Sequence, residues 1–114
     1  LIAGSVEIGE GGQILAGAVL QPGARIGANA IVNSRASIDH DCIIGAHAHI
    51  APGATLSGGV RIGDGAHIGT GAAVIQNIRV GANSIVGAGA AVIADVPDGA
   101  TVVGVPARAL KSKG

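Results

Sequence analysis

The segment VNSRASIDHDCIIGAHAHIAPGATL, residues 32–56, places an aliphatic residue at every sixth position. Outward from this segment the same period runs in both directions without a slip. An unbroken period of six is typical of parallel β-helices, in which each hexapeptide supplies one short strand and one turn. The first positions are Ile2, Ile8, Ile14, Leu20, Ile26, Val32, Ile38, Ile44, Ile50, Leu56, Ile62, Ile68, Val74, Val80, Val86 and Val92.

Two other positions of the hexapeptide have a consistent chemistry. The fifth is mostly Ala, which predicts a small core residue beside the large first one, and Cys42 occupies such a position. The fourth is rich in Gly and Asn, which tolerate a positive φ and predict a turn. His47 is a fourth-position residue, so we interpret it as part of a turn.

Composition limits the possible functions. The 114 residues include 21 Gly and no Phe, Tyr, Trp or Met, which predicts one domain with a narrow, regular core. Seven basic residues balance seven acidic ones, and no basic patch indicates nucleic acid. No apolar run approaches the ~18 residues of a membrane span, and no segment is typical of a signal peptide. A single cysteine fits a cytoplasmic location.

The last residues break the period. The segment PDGATVVGVPARALKSKG contains two prolines, so we expect the β-helix to span residues 1–96 and a capping tail to span 97–114. The end of this tail, ARALKSKG, favours a short helix. A cap of this kind would cover the strand edges that the last coil exposes.

Among the histidines, His40 is the strongest catalytic candidate. It is the only histidine at a third position, and Asp39 and Asp41 flank it. A carboxylate beside an imidazole fixes its tautomer and raises its basicity, as a general base requires. The alternative is a solvated turn histidine.

The unbroken hexapeptides, which end in VVGVPAR at residues 102–108, resemble those of the hexapeptide-repeat acyltransferases. Residues 33–63 resemble the C-terminal domain of the sialic acid O-acetyltransferase and UDP-4-amino-sugar N-acetyltransferase family, the NeuD and PglD type. The elements that match are Asn33, the DHDC of residues 39–42, and the HIAPGATLSG that begins at His49. The resemblance implies an all-β, left-handed parallel β-helix with three hexapeptides per coil and about five coils.

The resemblance also implies a function and a set of site residues. It implies an acetyl-CoA-dependent acetyltransferase, a homotrimer with active sites between subunits, and a small-molecule acceptor. His40 would be the general base and Asp41 its orienting partner. Asn33 would lie near that pair, and Asn33 and His49 would bind the acceptor. A backbone N–H such as that of Gly58, one coil above His40, would stabilise the oxyanion. The implied acetyl-CoA contacts are Gly58, Gly59, Ala72 and Ile75.

Coils of 18 residues predict which side chains lie together. His49 and His67 would stack, in an outward column that continues as Ile31 and Ile85 and that a neighbouring subunit could cover. His40 and His49 are half a coil apart and would lie on opposite sides of one chain. They could share a site only between two chains, so we expect no metal centre within one chain.

Four functions stay open on the sequence. The first is acetyl transfer to an amine or hydroxyl of a sugar or nucleotide sugar, and the second is transfer to serine or another small acceptor. The third is a γ-type zinc carbonic anhydrase, which shares the fold, and the fourth is a non-catalytic β-helix. Family members usually carry an N-terminal α/β domain that binds the nucleotide of the sugar. That domain is not in this sequence, which leaves the acceptor undetermined.

Overall fold

The chain forms a left-handed parallel β-helix, as predicted. The computed structural model describes residues 1–110, in which seventeen short strands form three sheets that are the faces of a triangular prism. The first fifteen strands lie on successive faces, so every third one of them returns to the same face one coil later. We number the faces 1, 2 and 3 in chain order, and name each corner by the two faces that it joins.

The strands of each face are as follows. Face 1 contains β1 (Glu7–Ile8), β4 (Arg25–Ile26), β7 (Ile43–Ile44), β10 (Arg61–Ile62) and β13 (Arg79–Val80). Face 2 contains β2 (Gln13–Ile14), β5 (Ile31–Val32), β8 (His49–Ile50), β11 (His67–Ile68), β14 (Ile85–Val86), β16 (Thr101–Val103) and β17 (Arg108–Ala109). Face 3 contains β3 (Val19–Leu20), β6 (Ser37–Ile38), β9 (Thr55–Leu56), β12 (Ala73–Val74) and β15 (Ala91–Val92).

The coils stack in a register of eighteen residues. On face 2, Ile31 pairs with His49, His49 with His67, and His67 with Ile85. The predicted outward column on this face is therefore confirmed. In the fifteen two-residue strands of the coils, the second residue points inward and the first points outward, so one side of each of these strands faces the interior and the other faces outward.

The interior contains only small and aliphatic side chains. The first-position residues from Leu20 onward are buried, and the fifth-position alanines fill the space between them. Cys42 is a core residue, as predicted, with its thiol donating to the carbonyl of Ser57 at 3.1 Å. The regular ladder leaves room for one large and one small side chain per strand and turn, which explains the absence of aromatic residues.

The fourth position is the left-handed turn that the sequence predicts. Glycine occupies it in half of the hexapeptides, and the other residues there include Asn29, Arg35, Asp41 and His47, with φ between 57° and 61°. The prediction that His47 is a turn residue is confirmed. Arg35, Asp41 and His47 hold this conformation without the freedom of glycine, which raises the backbone energy.

The C-terminal part differs from the prediction. Val96 pairs with Val80, and Thr101 pairs with Ile85, sixteen residues apart instead of eighteen. The final coil is thus two residues shorter, and the repeat continues beyond the predicted boundary at residue 96 as far as β16. The period of six breaks in the sequence because the loss of two residues shifts the register, although the coil itself continues.

The predicted helix at the C-terminus is wrong for the part of ARALKSKG that the structure describes. Arg108 and Ala109 form β17, which pairs antiparallel with Val103 and Val102 of β16. This short hairpin caps one edge of face 2 by hydrogen bonding. The last four residues of the predicted helix, 111–114, lie outside the described residues.

We expect the core to be sensitive to shortening of a first-position side chain. Ile50 is fully buried, whereas Ile93 is 55% exposed. Ile50→Ala should lower the free energy of unfolding by about 2–5 kcal/mol, because it removes buried apolar contacts and leaves a cavity. Ile93→Ala should change it by less than about 0.5 kcal/mol. Urea denaturation followed by far-ultraviolet circular dichroism measures both, and equal losses would contradict this assignment of the core.

Candidate active site

His40 and Asp41 lie at corner 3–1, in the turn between β6 and β7. The Nδ1 atom of His40 is 3.2 Å from Oδ2 of Asp41, and both side chains are exposed, by 63% and 73%. A carboxylate accepts the proton of Nδ1, which leaves Nε2 of the neutral ring with a free lone pair. The pair therefore has the tautomer that a general base requires.

The two acidic neighbours of His40 have different tasks. Oδ1 of Asp39 accepts a hydrogen bond of 2.7 Å from the backbone N–H of His40, whereas Asp41 contacts the ring. The bond from Asp39 closes a side-chain turn of the kind that aspartate commonly forms. Asp39 fixes the backbone that carries the imidazole, and Asp41 fixes the imidazole itself.

Gly58 lies directly against the His40 ring, one coil further along the same corner. A Cβ atom at Gly58 would collide with Nε2 of His40 and would lie 2.6 Å from Cε1. The neighbouring Gly59 donates its N–H to the His40 carbonyl at 3.0 Å. The N–H of Gly58 has no acceptor within residues 1–110, so the residue that packs against the His40 ring keeps a free hydrogen-bond donor.

A second polar cluster lies on face 2 and at corner 2–3. Nδ2 of Asn33 is 3.2 Å from Nε2 of His49, and the rings of His49 and His67 meet edge to face with centroids 4.9 Å apart. Partial burial, and to a lesser degree the charge of His67, holds the pKa of His49 below its ordinary value. Both causes disfavour the positively charged form of the His49 ring.

The two clusters lie on opposite sides of the chain. His40 is at corner 3–1, and His49 is on face 2, which is the face that this corner does not touch. The placement of His40 and His49 on opposite sides of one chain, which the sequence predicts, is thus confirmed by the topology. A site that contains both histidines requires a second copy of the chain.

The four residues expected to contact acetyl-CoA do not all lie on the surface. Gly58, Gly59 and Ile75 line corner 3–1, and Ile75 is 46% exposed. Ala72 is fully buried, and its N–H and carbonyl bond to Gly69 and Thr55. This placement argues against the predicted contact at Ala72, because a fifth position points into the core.

The remaining donor groups do not combine into a further centre. Burial raises the pKa of the Cys42 thiol, and its sulfur lies within the core. Within residues 1–110, no three His, Cys, Asp or Glu side chains are grouped to hold a metal ion. That part of the chain also contains no helix long and apolar enough to cross a membrane.

Ser34 contributes to the polar cluster around Asn33 and was not predicted from the sequence. Ser34 donates its backbone N–H to Oδ1 of Asn33 at 2.7 Å, and its hydroxyl lies 3.3 Å from the same oxygen. The signal was present as an Asn-Ser pair at a turn, a combination that commonly forms a local side-chain to backbone bond. The role of Ser34 depends on the contact between Asn33 and His49, and the hexapeptide period does not predict that contact.

Residues 23–58 match the family model described as bacterial transferase hexapeptide (six repeats). This range includes Asn33, His40, His49 and Gly58. No curated protein matches the chain significantly. The family match covers the part of the repeat that contains both polar clusters except His67.

Solved structures extend the similarity to almost the entire chain. The acetyltransferase domain of PglB from Neisseria gonorrhoeae FA1090 is 47% identical, with a TM-score of 0.95, over 96% of this chain and 53% of that one. A variant of perosamine N-acetyltransferase from Caulobacter crescentus, in complex with CoA and GDP-perosamine, is 41% identical, with a TM-score of 0.97, over 98% and 53%. WeeI from Acinetobacter baumannii AYE is 35% identical, with a TM-score of 0.71, over 88% of this chain and 55% of that one.

This chain thus spans about half the length of the solved structures that it matches. The same PglB domain has also been solved in complex with acetyl coenzyme A. The resemblance to the hexapeptide-repeat acetyltransferases of the NeuD and PglD type is confirmed.

We expect Gly58→Ala to displace the His40 ring without unfolding the chain. The new methyl group would meet an exposed side chain that can rotate away, and Gly58 does not have a positive φ. The ¹H and ¹³C resonances of the His40 imidazole should therefore shift, with little change in melting temperature. Gly4→Ala is the matched control, since a Cβ there meets nothing within 4 Å. Unmoved His40 resonances in Gly58→Ala would contradict the packing.

The lowered pKa of His49 predicts a pH dependence of stability. As the pH falls through 6.5, the ordinary pKa of histidine, His49 takes up a proton in the unfolded chain but not yet in the folded chain. Stability should therefore decline below about pH 6.5 more steeply in the wild type than in His49→Gln, which keeps an acceptor for Asn33 and cannot titrate. Melting temperatures between pH 8 and pH 5 measure this, and parallel profiles would refute it.

Proposed function

We propose that this chain, a hexapeptide-repeat β-helix of the bacterial transferase type, transfers the acetyl group of acetyl-CoA to an amine of a sugar or nucleotide sugar. The observation that carries the proposal is the free Nε2 of His40, whose ring packs against Gly58, a residue with an unused backbone N–H. Further support comes from the identity of 41–47% with an acetyltransferase domain and a sugar N-acetyltransferase. A hydroxyl acceptor would use the same chemistry.

In the proposed reaction His40 is the general base. Its Nε2 accepts a proton from the acceptor amine while the amine nitrogen bonds to the carbonyl carbon of the thioester. The carbon–sulfur bond then breaks, and the imidazolium returns the proton to the leaving sulfur, so coenzyme A departs as a thiol. Asp41 accepts the Nδ1–H throughout and stabilises the imidazolium. General base catalysis of this kind contributes about 10²–10⁴-fold.

The N–H of Gly58 suits the charge that develops during this attack. The carbonyl oxygen of the thioester becomes negative as the new bond forms, and a fixed backbone donor stabilises it without reorganisation. Gly58 packs against the His40 ring, so its N–H belongs to a residue next to the base that the acceptor amine has to reach. Glycine at this position leaves room for the acyl group and for the imidazole at the same time.

Corner 3–1 suits the extended coenzyme. Gly58, Gly59 and the exposed Ile75 follow one another along it. Small residues permit close approach of the ligand, and Ile75 offers an apolar contact for its chain. Ala72 does not belong to this contact set, because its side chain is buried.

The proposed assembly is a homotrimer in which corner 3–1 of one copy meets face 2 of the next. This contact brings His40 of one copy to His49 of the other, and a contact between two different surfaces closes into a ring under threefold rotation. Face 2 carries the partly apolar column Ile31, His49, His67 and Ile85, of which Ile85 is 47% exposed in the single chain. The outward column of face 1 is mostly charged, with Ile43 as its one aliphatic residue, and would remain in solvent.

The first test compares His40→Asn with the wild type. With acetyl-CoA and a nucleotide-linked amino sugar, kcat should fall by about 10²–10⁴-fold, because the base is removed. Binding of acetyl-CoA, measured by calorimetry, and the trimeric molar mass should not change. His47→Asn is the matched control, since asparagine occupies the same turn position elsewhere in the chain. Full activity in His40→Asn would refute the role of His40, and an inactive wild-type trimer that binds no acetyl-CoA would refute the function.

A further inference from the structure

The orientation of the Asn33 amide is fixed by its neighbour. Oδ1 of Asn33 accepts hydrogen bonds from the backbone N–H of Ser34 at 2.7 Å and from its hydroxyl at 3.3 Å. A backbone N–H can only donate, so the amide atom that faces it has to be the oxygen. The NH₂ group of Asn33 therefore points away from Ser34 and toward His49.

This orientation determines the tautomer of His49. Nδ2 of Asn33 lies 3.2 Å from Nε2 of His49, and an amide NH₂ group can only donate. Nε2 must then be the accepting nitrogen, so the proton of the neutral ring is on Nδ1. The edge-to-face contact with His67, at 4.9 Å between centroids, holds the ring from the next coil.

We propose that Asn33, oriented by Ser34, is a positioning residue that fixes His49 as a hydrogen-bond donor through Nδ1–H. The ligand atom that His49 contacts is then an oxygen, of a carbonyl or hydroxyl group, and not the nucleophilic amine. This assignment of the ligand atom rests on the proposed function, whereas the tautomer does not.

The chemistry of the reaction requires this distinction. An amine that attacks a thioester uses its lone pair, and a donor hydrogen-bonded to that lone pair would oppose the attack. A donor on a carbonyl or hydroxyl oxygen orients the substrate without opposing it. The site between two copies would thus contain one accepting histidine, His40, and one donating histidine, His49.

The direction of the pKa shift agrees with this assignment. Protonated His49 would direct an N–H at the NH₂ group of Asn33, and two donors cannot bond to each other. The other titratable group that contacts this ring is His67, which also disfavours a positive charge. The remaining residues beside His49 on its face, Ile31 and Asn33, are uncharged.

Asn33→Asp provides the sharpest test. One carboxylate oxygen would still accept the Ser34 N–H, but the other would face Nε2 and require a proton there. In ¹⁵N-labelled protein, the wild-type His49 ring should have the Nδ1–H tautomer, and Asn33→Asp should have Nε2–H with a raised pKa. Asn83→Asp adds the same charge at a turn remote from Asn33, so the tautomer and the pKa of the His49 ring should remain those of the wild type.

Activity provides the second readout. Asn33→Asp should lower kcat/KM for the amino sugar roughly tenfold or more, since the ligand oxygen loses its donor. Asn83→Asp should remain close to the wild type. A wild-type ring with Nε2–H would overturn the tautomer, and full transfer by an Asn33→Asp variant with a reversed tautomer would overturn the ligand assignment. A wild type that transfers no acetyl group would refute the proposed function, while the ring resonances still decide the tautomer.

Discussion

The ladder of backbone hydrogen bonds between coils is the constraint on which the rest of the structure depends. Strands of only two residues cannot be stable alone, but each one pairs with an equivalent strand on a neighbouring coil. The ladder requires a constant coil length, and a constant coil length requires the same turn at every corner. The period of six, the small core residues and the left-handed turns are all consequences of this requirement.

The same constraint explains how a chain with so few polar side chains can build a site. A residue at a corner lies directly above the equivalent residue of the previous coil, so His40 meets Gly58 although eighteen residues separate them. The scaffold fixes both positions, and the side chains need little support of their own. Local bonds to Asp39 and Asp41 then complete the orientation of the imidazole.

Much of this could be predicted from the sequence because it follows from the period. The core, the turns, the stacking of His49 on His67 and the opposition of His40 and His49 all depend only on position within the coil. The period gives no information about contacts that cross between columns, such as Asn33 with His49, sixteen residues apart. The period also predicted the end of the β-helix too early. The coil before Val96 is two residues shorter, and in the sequence this shift in register resembles the end of the repeat. Ala72 is a different case, since a resemblance suggested a contact at a position that the period assigns to the core.

Because the coil spacing is constant, equivalent positions along corner 3–1 follow one another at regular intervals. Each coil adds about 4.8 Å along the axis, so a molecule extended along the corner meets one equivalent position per coil. A whole coil of eighteen residues could be inserted between two such positions without altering the cross-section of the β-helix. In a fold of this kind, the distance between two binding groups is adjustable in discrete steps, whereas the angle between them is constant.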